Sequence, residues 1–516
     1  MCGIAGIQGD ADPLQLQTMI AKLGHRGPDG EGVHVDHAAN VALGHCRLAI
    51  MDPIGGAQPI FSEDQKIVII ANGEIYNFPT LRADLQTRHH FRTSSDSEAI
   101  VHLFEEKGAD AFAALDGMYA FALSTPDAFF MARDPIGIKP LYYGFKAADG
   151  AAGHGHATLY FASELKSLAT VVEDIHEFPP GAYYDSRTGF VQFYTVPAQA
   201  PDPVPEEEAL DEMIRQLRTT LEEVVVKHLM SDVPVGAFLS GGLDSSLLAA
   251  MARPHVDELH TFSVGIAGSP DTEAARLVAE HIGSIHHEYL YTLDEVKASL
   301  PAIIHHLESF DQDLVRSAIP CYFCSRLAAQ YVKVILTGEG ADELFAGYRY
   351  YKDYTDGVRL HQELRRSITA LHNINLQRVD RLTMCHGLEG RVPFLDTKLI
   401  ALAQSIPPAV KLKQTPAGQQ IEKWILRKAC EDLLPASIVW REKAQFDEGS
   451  GTVDLLAPLI DEAVAGLDVE AYRQAHIQDG LRSAEECLYH KLLAESLPHP
   501  RRVLDNVGRW SGNHRV

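Results

Sequence analysis

At 516 residues, with 46% hydrophobic and 22% charged residues, the chain has the composition of a globular protein too long for one ordinary core, so two or three domains are expected. Its formal net charge of −25 argues against a nucleic-acid or acidic-membrane partner, because phosphate binding needs a basic surface. Seven cysteines, an odd number spread thinly, do not suit a disulfide framework, and no apolar run reaches membrane-spanning length.

The first element is "MCGIAGI". If the initiator methionine is trimmed, Cys2 carries a thiol and a free α-amine on one carbon, a nucleophile and a base in a single residue. Position alone favours a frayed terminus instead. Asp10 interrupts this apolar stretch too early for a signal peptide, and a reducing cytoplasm is the expected setting. Short β-rich segments follow: "KIVIIANGEIYN", "MYAFALST", "AFFMARD", "PLYYGF" and "LYFASE", with a helical piece "SEAIVHLFEEKG" among them. Such an order predicts an α+β domain on packed antiparallel sheets, with "ADGAAGHGHA" as a hairpin loop. Four prolines in "TVPAQAPDPVPEEEA" mark a linker, giving a first domain over 2–195, a linker over 196–208 and a second domain over 209–516.

Beyond the linker the period changes. Leu210, Met213, Ile214, Leu217, Leu221, Val224 and Val225 form one helical stripe. Then "VPVGAFL", "LHTFSVGI", "HHEYLY" and "KVILTG" read as apolar strands separated by helices, which predicts an α/β parallel sheet with a helical C-terminal part from about 345. Cys321 and Cys324 form one CxxC without a second pair, which reads as core packing rather than a metal site.

Chemistry concentrates in two stretches of this second domain. In "VGAFLSGGLDSSLLAAM" a Ser-Gly-Gly turn joins a buried strand to a helix. Gly241 and Gly242 admit close approach of an anion to backbone amides, and Ser240, Ser245 and Ser246 add hydroxyls at the helix start. No GxxxxGK[ST] is present, so this is not the common mononucleotide loop. Asp244 lies inside the cradle and would repel phosphate unless Mg²⁺ intervened. "LTGEGADELFAGY" supplies Glu339, Asp342 and Glu343, and Asp244 with Asp342 makes a plausible Mg²⁺ pair at neighbouring strand ends.

"SGGLDSS" resembles the signature of the N-type ATP pyrophosphatases. With "FSVG", "TGEGADE", "GRVPFLD" and "WREKAQFDEG" it resembles the synthetase domain of glutamine-dependent asparagine synthetases, over nearly the whole chain. That resemblance implies an adenine-nucleotide α-hydrolase-like fold. It implies that Phe238, Leu239 and Val264 line the adenine and ribose pocket, that Ser240 to Ser246 hold pyrophosphate, and that Thr337 and Gly338 contact nucleotide. It further implies aspartate binding by Glu339, Glu343 and Arg391, and Lys443 over the α-phosphate. Thr337 and Ala341 stand where the family commonly has serine.

"MCGIAG", "HRGPDG", "RLAIMD", "NGEIYN" and "SDSEA" resemble the class II, N-terminal-nucleophile glutamine amidotransferases. The resemblance implies an Ntn-hydrolase-like fold and an attack by Cys2 on the glutamine amide, with its own α-amine relaying the proton. Asn72 and Gly73 would stabilise the oxyanion, Arg47 would pair with the substrate carboxylate, and Glu74 and Asp96 would receive its ammonium and nearby polar groups; His25 and His45 read as structural. The expected activity is amidation of aspartate at the expense of ATP and glutamine, in a homodimer. A relative amidating another carboxylate, a β-lactam synthetase type and a non-enzymatic glutamine sensor are the competing readings. Cys2 with an intact "NGE" speaks against the second, and Lys443 with Asp244 against the third.

Overall fold

A computed structural model describes residues 2–147, 157–198, 201, 204, 206–443 and 446–509. The first half builds two six-stranded antiparallel sheets. One runs His176–Glu177, Tyr142–Lys146, Thr158–Ala162, Cys2–Gln8, Val41–Arg47, Gly30–Asp36. The other runs Gly189–Gln192, Ala182–Asp185, Phe129–Arg133, Gly117–Ser124, Val68–Ile75, Ile60–Phe61. Alternation along each strand decides what faces what. Ile4, Leu43 and Phe161 meet Val68, Ile70, Ala120 and Met131 between the sheets. The opposite faces carry helices: Leu16, Met19 and Ile20 of Pro13–Ala21 cover the first, and Ile100, Val101 and Leu103 of Glu98–Lys107 cover the second. The result is a four-layer helix–sheet–sheet–helix stack, as the α+β expectation has it. The expected hairpin loop lies almost wholly outside the described residues.

The second half forms a five-stranded parallel sheet in the order Ile285–Leu290, His260–Gly265, Val235–Phe238, Val334–Leu336, Glu389–Arg391. Four of its strands fall where the apolar runs place them; the fifth, three residues long, carries no such signal. The helical stripe is the helix Glu207–His228, which buries Leu217, Leu221, Val224 and Val225. The chain leaves Val235–Phe238 toward one edge of the sheet and returns on its other side as Val334–Leu336. The loops after these two strands therefore diverge at a topological switch point, where open parallel sheets bind ligands.

The halves are joined by apolar packing and by a buried network of charges. Arg26 bonds Glu164 and Asp380, each at 2.8 Å. Arg381 pairs with Glu308 at 2.8 Å and donates to the Tyr142 hydroxyl at 2.9 Å. Glu308 in turn accepts the backbone N–H groups of Leu165 and Lys166. All of these carboxylates and guanidinium groups are buried, and they come from both sides of the linker.

Two candidate reaction centres

Cys2, Ile4 and Gly6 point to one side of their strand, and Val68, Ile70, Asn72 and Glu74 point to the facing side of theirs. Cys2 and Asn72 thus meet at the open end of the sandwich, where the Cys2 backbone N–H donates to Asn72 Oδ1 at 2.9 Å. Arg26 Nε fixes the Cys2 carbonyl at 3.1 Å. Asn72 is fully buried, and its Nδ2 has no hydrogen-bond partner among the described residues, so one amide donor faces the cysteine end of the sandwich. Gly73 follows with a φ of +151°, and a Cβ there would lie 2.0 Å from the Met118 carbonyl oxygen; only glycine keeps that backbone N–H in place. Burial pushes the Cys2 thiol pKa up, against the pull of the N-terminal ammonium and Arg47. A thiol of this kind needs a base.

Arg47 pairs with Cys2 in register on the neighbouring strand. Its guanidinium donates to the carbonyls of Asp52 and Pro53 at 2.6 and 3.1 Å, which presents it on the loop beside the nucleophile. Glu74 and Asp96 are buried, and burial together with repulsion from Glu389 raises both carboxyls. Asp96 reaches about 6 even though the Ile75 backbone N–H donates to it at 2.6 Å. His45 is buried and held neutral, with Nε2 3.2 Å from the Ala71 carbonyl oxygen, and His25 lies against Glu164 at 3.1 Å. Both contacts are of the structural kind.

The second centre is a cleft of about 320 Å³ at the switch point. Phe238, Leu239, Phe262 and Val264 line its apolar part, and Ser240, Gly242, Asp244, Ser245, Thr337 and Gly338 line the cradle. Gly241 has φ +70°, and a Cβ there would lie 2.4 Å from Ala274 Cβ, so the sharp turn requires glycine. Gly241 and Ser246 stand behind the wall rather than on it. The Ser240 and Ser245 hydroxyls lie 3.1 Å apart across the turn.

Two lysines bind the two aspartates. Lys423 Nζ lies 2.6 Å from both Asp244 Oδ2 and Asp342 Oδ1, and Lys443 Nζ lies 2.9 Å from Asp342 Oδ2 and 3.8 Å from Asp244 Oδ2. Burial would lower the Lys443 pKa, but Asp342 and Asp244 outweigh it and hold the ammonium charged. Asp342 is likewise kept ionised by the two lysines despite its burial.

The acidic and basic groups at the far end differ from the sequence expectation. Arg391 does not line the cleft. Its side chain points to the interface between the halves, where it binds Glu389 Oε1 at 2.6 Å and the carbonyls of His228 and Met230 at 2.6 Å each, and lies 3.7 Å from Glu74. The Arg391 backbone carbonyl accepts from Thr337 N at 3.0 Å along the sheet, while its side chain stands on the sheet face turned to the other half. Arg378 is the arginine on the cleft wall beside Glu339, with which it is ion-paired. Burial raises the Glu339 carboxyl, and Arg378 opposes this. Glu343 also lies off the wall; it accepts from the Tyr348 hydroxyl, which does line the cleft, at 2.7 Å, and burial beside Asp342 pushes its carboxyl up to about 8.

Sequence reasoning missed Arg378, Lys423 and Arg441, all on the wall. Arg441 stands in the quoted "WREKAQFDEG" and reaches the Gly241 carbonyl at 3.2 Å and Asp271 at 2.8 Å. Lys423 precedes the short helix Trp424–Ala429 in a stretch without motif spacing, and Arg378 is one of two arginines on the helix Asn375–Met384. Cys321 and Cys324 are free and buried, and the Cys324 thiol donates to the Phe262 carbonyl at 3.6 Å.

A cysteine held against an oxyanion-type amide in one half, and an anion cradle at the switch point of the other, place the chain among the glutamine amidotransferases that carry their own nucleotide-dependent partner domain. A family model described as glutamine amidotransferase domain matches residues 1–192, and one described as asparagine synthase matches 216–358 and 353–511. The probable glutamine-hydrolysing asparagine synthetase of Dictyostelium discoideum is 36% identical over 99% of this chain and 96% of its own. Asparagine synthetase B of Escherichia coli K12 is 37% identical over 97% and 92%, and the Arabidopsis thaliana glutamine-hydrolysing asparagine synthetase 2 is 41% identical over 87% and 79%. The chain belongs to the glutamine-hydrolysing asparagine synthetases.

Proposed function

We propose that the protein converts aspartate, ATP and glutamine into asparagine, AMP, pyrophosphate and glutamate by way of β-aspartyl-AMP. The observation that carries this reading is the cleft itself. One end offers hydroxyls, backbone amides and Lys443 for phosphates, and the other offers a guanidinium, Arg378, beside a carboxylate, Glu339. An α-amino acid fits such a pair: its α-carboxylate meets the guanidinium and its ammonium meets Glu339, which leaves the side-chain carboxylate toward the cradle.

In the first centre, the α-amine of Cys2 takes the thiol proton once Met1 is removed, and Sγ attacks the glutamine amide carbon. The Asn72 Nδ2 and Gly73 N–H donate to the oxyanion, the Cys2 α-ammonium returns its proton to the amide nitrogen, and the C–N bond breaks to release ammonia and leave the γ-glutamyl thioester. Water then releases glutamate. Glu74 and Asp96 hold the substrate ammonium, whose charge favours the ionised carboxylates that burial opposes. In the second centre the aspartate β-carboxylate attacks the α-phosphorus, the bond from that phosphorus to the bridging oxygen breaks to expel pyrophosphate, and Lys443 neutralises charge developing there. Ammonia from the first centre then displaces AMP.

Asp244 and Asp342 fit a Mg²⁺ ion accompanying ATP: Asp244 Oδ1 is buried without a hydrogen-bond partner among the described residues, and Asp244 Oδ2 and Asp342 Oδ1 already converge on one cation, the Lys423 ammonium. When bound, Mg²⁺ supplies neutralisation of phosphate charge. A homodimer and a cytoplasmic setting complete the proposal.

The test is Cys2→Ala. Glutamine-dependent asparagine synthesis should vanish and ammonia-dependent synthesis should persist at near wild-type rate. Loss of both in a folded variant, or a retained Met1 on active protein by mass spectrometry, sinks the assignment.

A further inference from the structure

A cluster far from both sequence motifs is built like a metal site. His476 closes the helix Val469–Ala475, Asp479 ends the turn Ile477–Asp479, and His490 lies on the helix Ala484–Glu495. His490 is fully buried, and the Asp479 side chain is 2% exposed. His476 is partly exposed, at 34% of its side chain. Asp479 Oδ2 lies 3.1 Å from His490 Nε2 and 3.8 Å from His476 Nδ1. One ligand atom from each of the three falls within 4.8 Å of the other two. None of the three lines the cleft.

We infer that His476, Asp479 and His490 bind a divalent transition-metal ion of the Zn²⁺ class. Ligand bonds of about 2.0–2.1 Å in a tetrahedron imply edges of about 3.3–3.4 Å, so the Asp479–His490 and Asp479–His476 distances of 3.1 and 3.8 Å need shifts of a few tenths of an ångström, and the His476–His490 separation, within 4.8 Å, closes by rotation of the partly exposed His476 ring. Two imidazoles and a carboxylate suit zinc and its neighbours, and disfavour Mg²⁺, which prefers oxygens.

The surroundings are those of a supported site. The other ring nitrogen of His490, Nδ1, lies 2.9 Å from the Tyr472 hydroxyl. With a metal on Nε2, Nδ1–H donates to the Tyr472 hydroxyl; without one, Nε2–H donates to Asp479 Oδ2 and the hydroxyl donates to Nδ1, so the same partners serve both states. Arg501 Nη1 takes the other carboxylate oxygen, Oδ1, at 2.7 Å and so fixes how Oδ2 is presented. Metal-binding histidines and carboxylates are commonly oriented by such partners. The Tyr472 and His476 rings lie 4.5 Å apart, which positions the one partly exposed ligand. Three protein ligands leave the fourth position to water on the His476 side. The ion's role is to staple the turn Ile477–Asp479 to the helix Ala484–Glu495.

The experiment uses the full-length protein, stripped with chelator and titrated with Co²⁺ in excess Mg²⁺ so that oxygen-rich sites are filled. The expected result is one Co²⁺ per chain with intense visible bands of tetrahedral type, displaced by one equivalent of Zn²⁺, and a thermal midpoint that rises with Zn²⁺. His476→Gln should weaken Co²⁺ binding at least tenfold and abolish the Zn²⁺ effect, while its metal-free midpoint matches that of the stripped wild type. Asp479→Asn should likewise lose the bands. Absence of tetrahedral bands in the wild type, or bands and Zn²⁺ stabilisation unchanged in His476→Gln, overturns the assignment and leaves a hydrogen-bonded His–Asp pair in its place.

Discussion

Replacing Arg378 by leucine separates the structural placement of the aspartate site from the one that motif spacing suggests. The guanidinium is buried in the cleft wall, ion-paired with a partly buried Glu339. Truncating one partner of a buried hydrogen-bonded charge pair costs about 2–5 kcal/mol at a binding interface, so kcat/KM for aspartate should fall by about 30-fold to several thousand-fold. Pyrophosphate release is measured with ammonium as nitrogen donor, which bypasses the glutamine site, and glutaminase activity of the same variant should stay near wild type. The matched variant is Arg391→Leu, whose side chain faces Glu74 and Glu389 rather than the cleft. It should retain ammonia-dependent turnover of aspartate in whatever fraction remains folded, and lose glutamine-dependent turnover. Arg378→Leu within threefold of wild type in kcat/KM, with Arg391→Leu carrying the loss, would refute the reasoning.

Asn72→Ala removes the free amide donor beside Cys2 and should lower glutaminase kcat by about 10²–10³, with ammonia-dependent synthesis unchanged in the same preparation. Lys443→Ala should cut aspartate-dependent pyrophosphate release by about the same factor, and Lys443→Arg should not restore it, because a planar fork cannot replace an ammonium held 2.9 Å from Asp342 in a packed wall; near wild-type release by either variant counts against the role. Lys411 is buried without a hydrogen-bond partner among the described residues, and burial brings its pKa from 10.5 down to about 7. The unfolded chain therefore binds more protons between pH 7 and 10.5, and stability rises with pH across that window. Lys411→Met should stabilise the fold by up to about 4 kcal/mol at pH 7 and by little near pH 10.5, read from denaturant midpoints; a pH-independent difference would contradict it.

How much of this was legible beforehand depends on range. The cradle at 240–246 and the cysteine strand were readable because local sequence builds them: a strand, a glycine turn, a helix start. Four of five parallel strands announced themselves as apolar runs, but Glu389–Arg391 did not, since a three-residue edge strand bearing two charges has no period to detect. That same strand explains why Arg391 stands off the cleft wall. Proximity to a motif suggested the cleft, whereas the direction of a side chain on a strand depends on register, which the sequence does not print. Arg378, Lys423 and Lys443 reach one cleft from stretches many residues apart, and only the fold brings them together. Glu343 illustrates a milder case: it stands within the right motif, one residue from Asp342, yet turns away from the ligand side to hold Tyr348.

The buried charge network between the halves has a consequence for heredity and engineering. Arg26 and Glu164 from one side close on Asp380, and Arg381 with Glu308 from the other closes on Tyr142 and the Leu165–Lys166 backbone. Arg26 keeps Glu164 and Arg381 keeps Glu308 within their own halves, but Asp380 depends on Arg26 across the seam and Glu308 on the Leu165–Lys166 backbone; a foreign half packed against either would bury these groups without their mates, which is costly. The two halves read as modules in sequence but are not interchangeable parts. A chimera that grafts either half onto a foreign partner must carry the matching residues of the other surface with it, so recombination at the proline-rich seam alone yields mismatched halves.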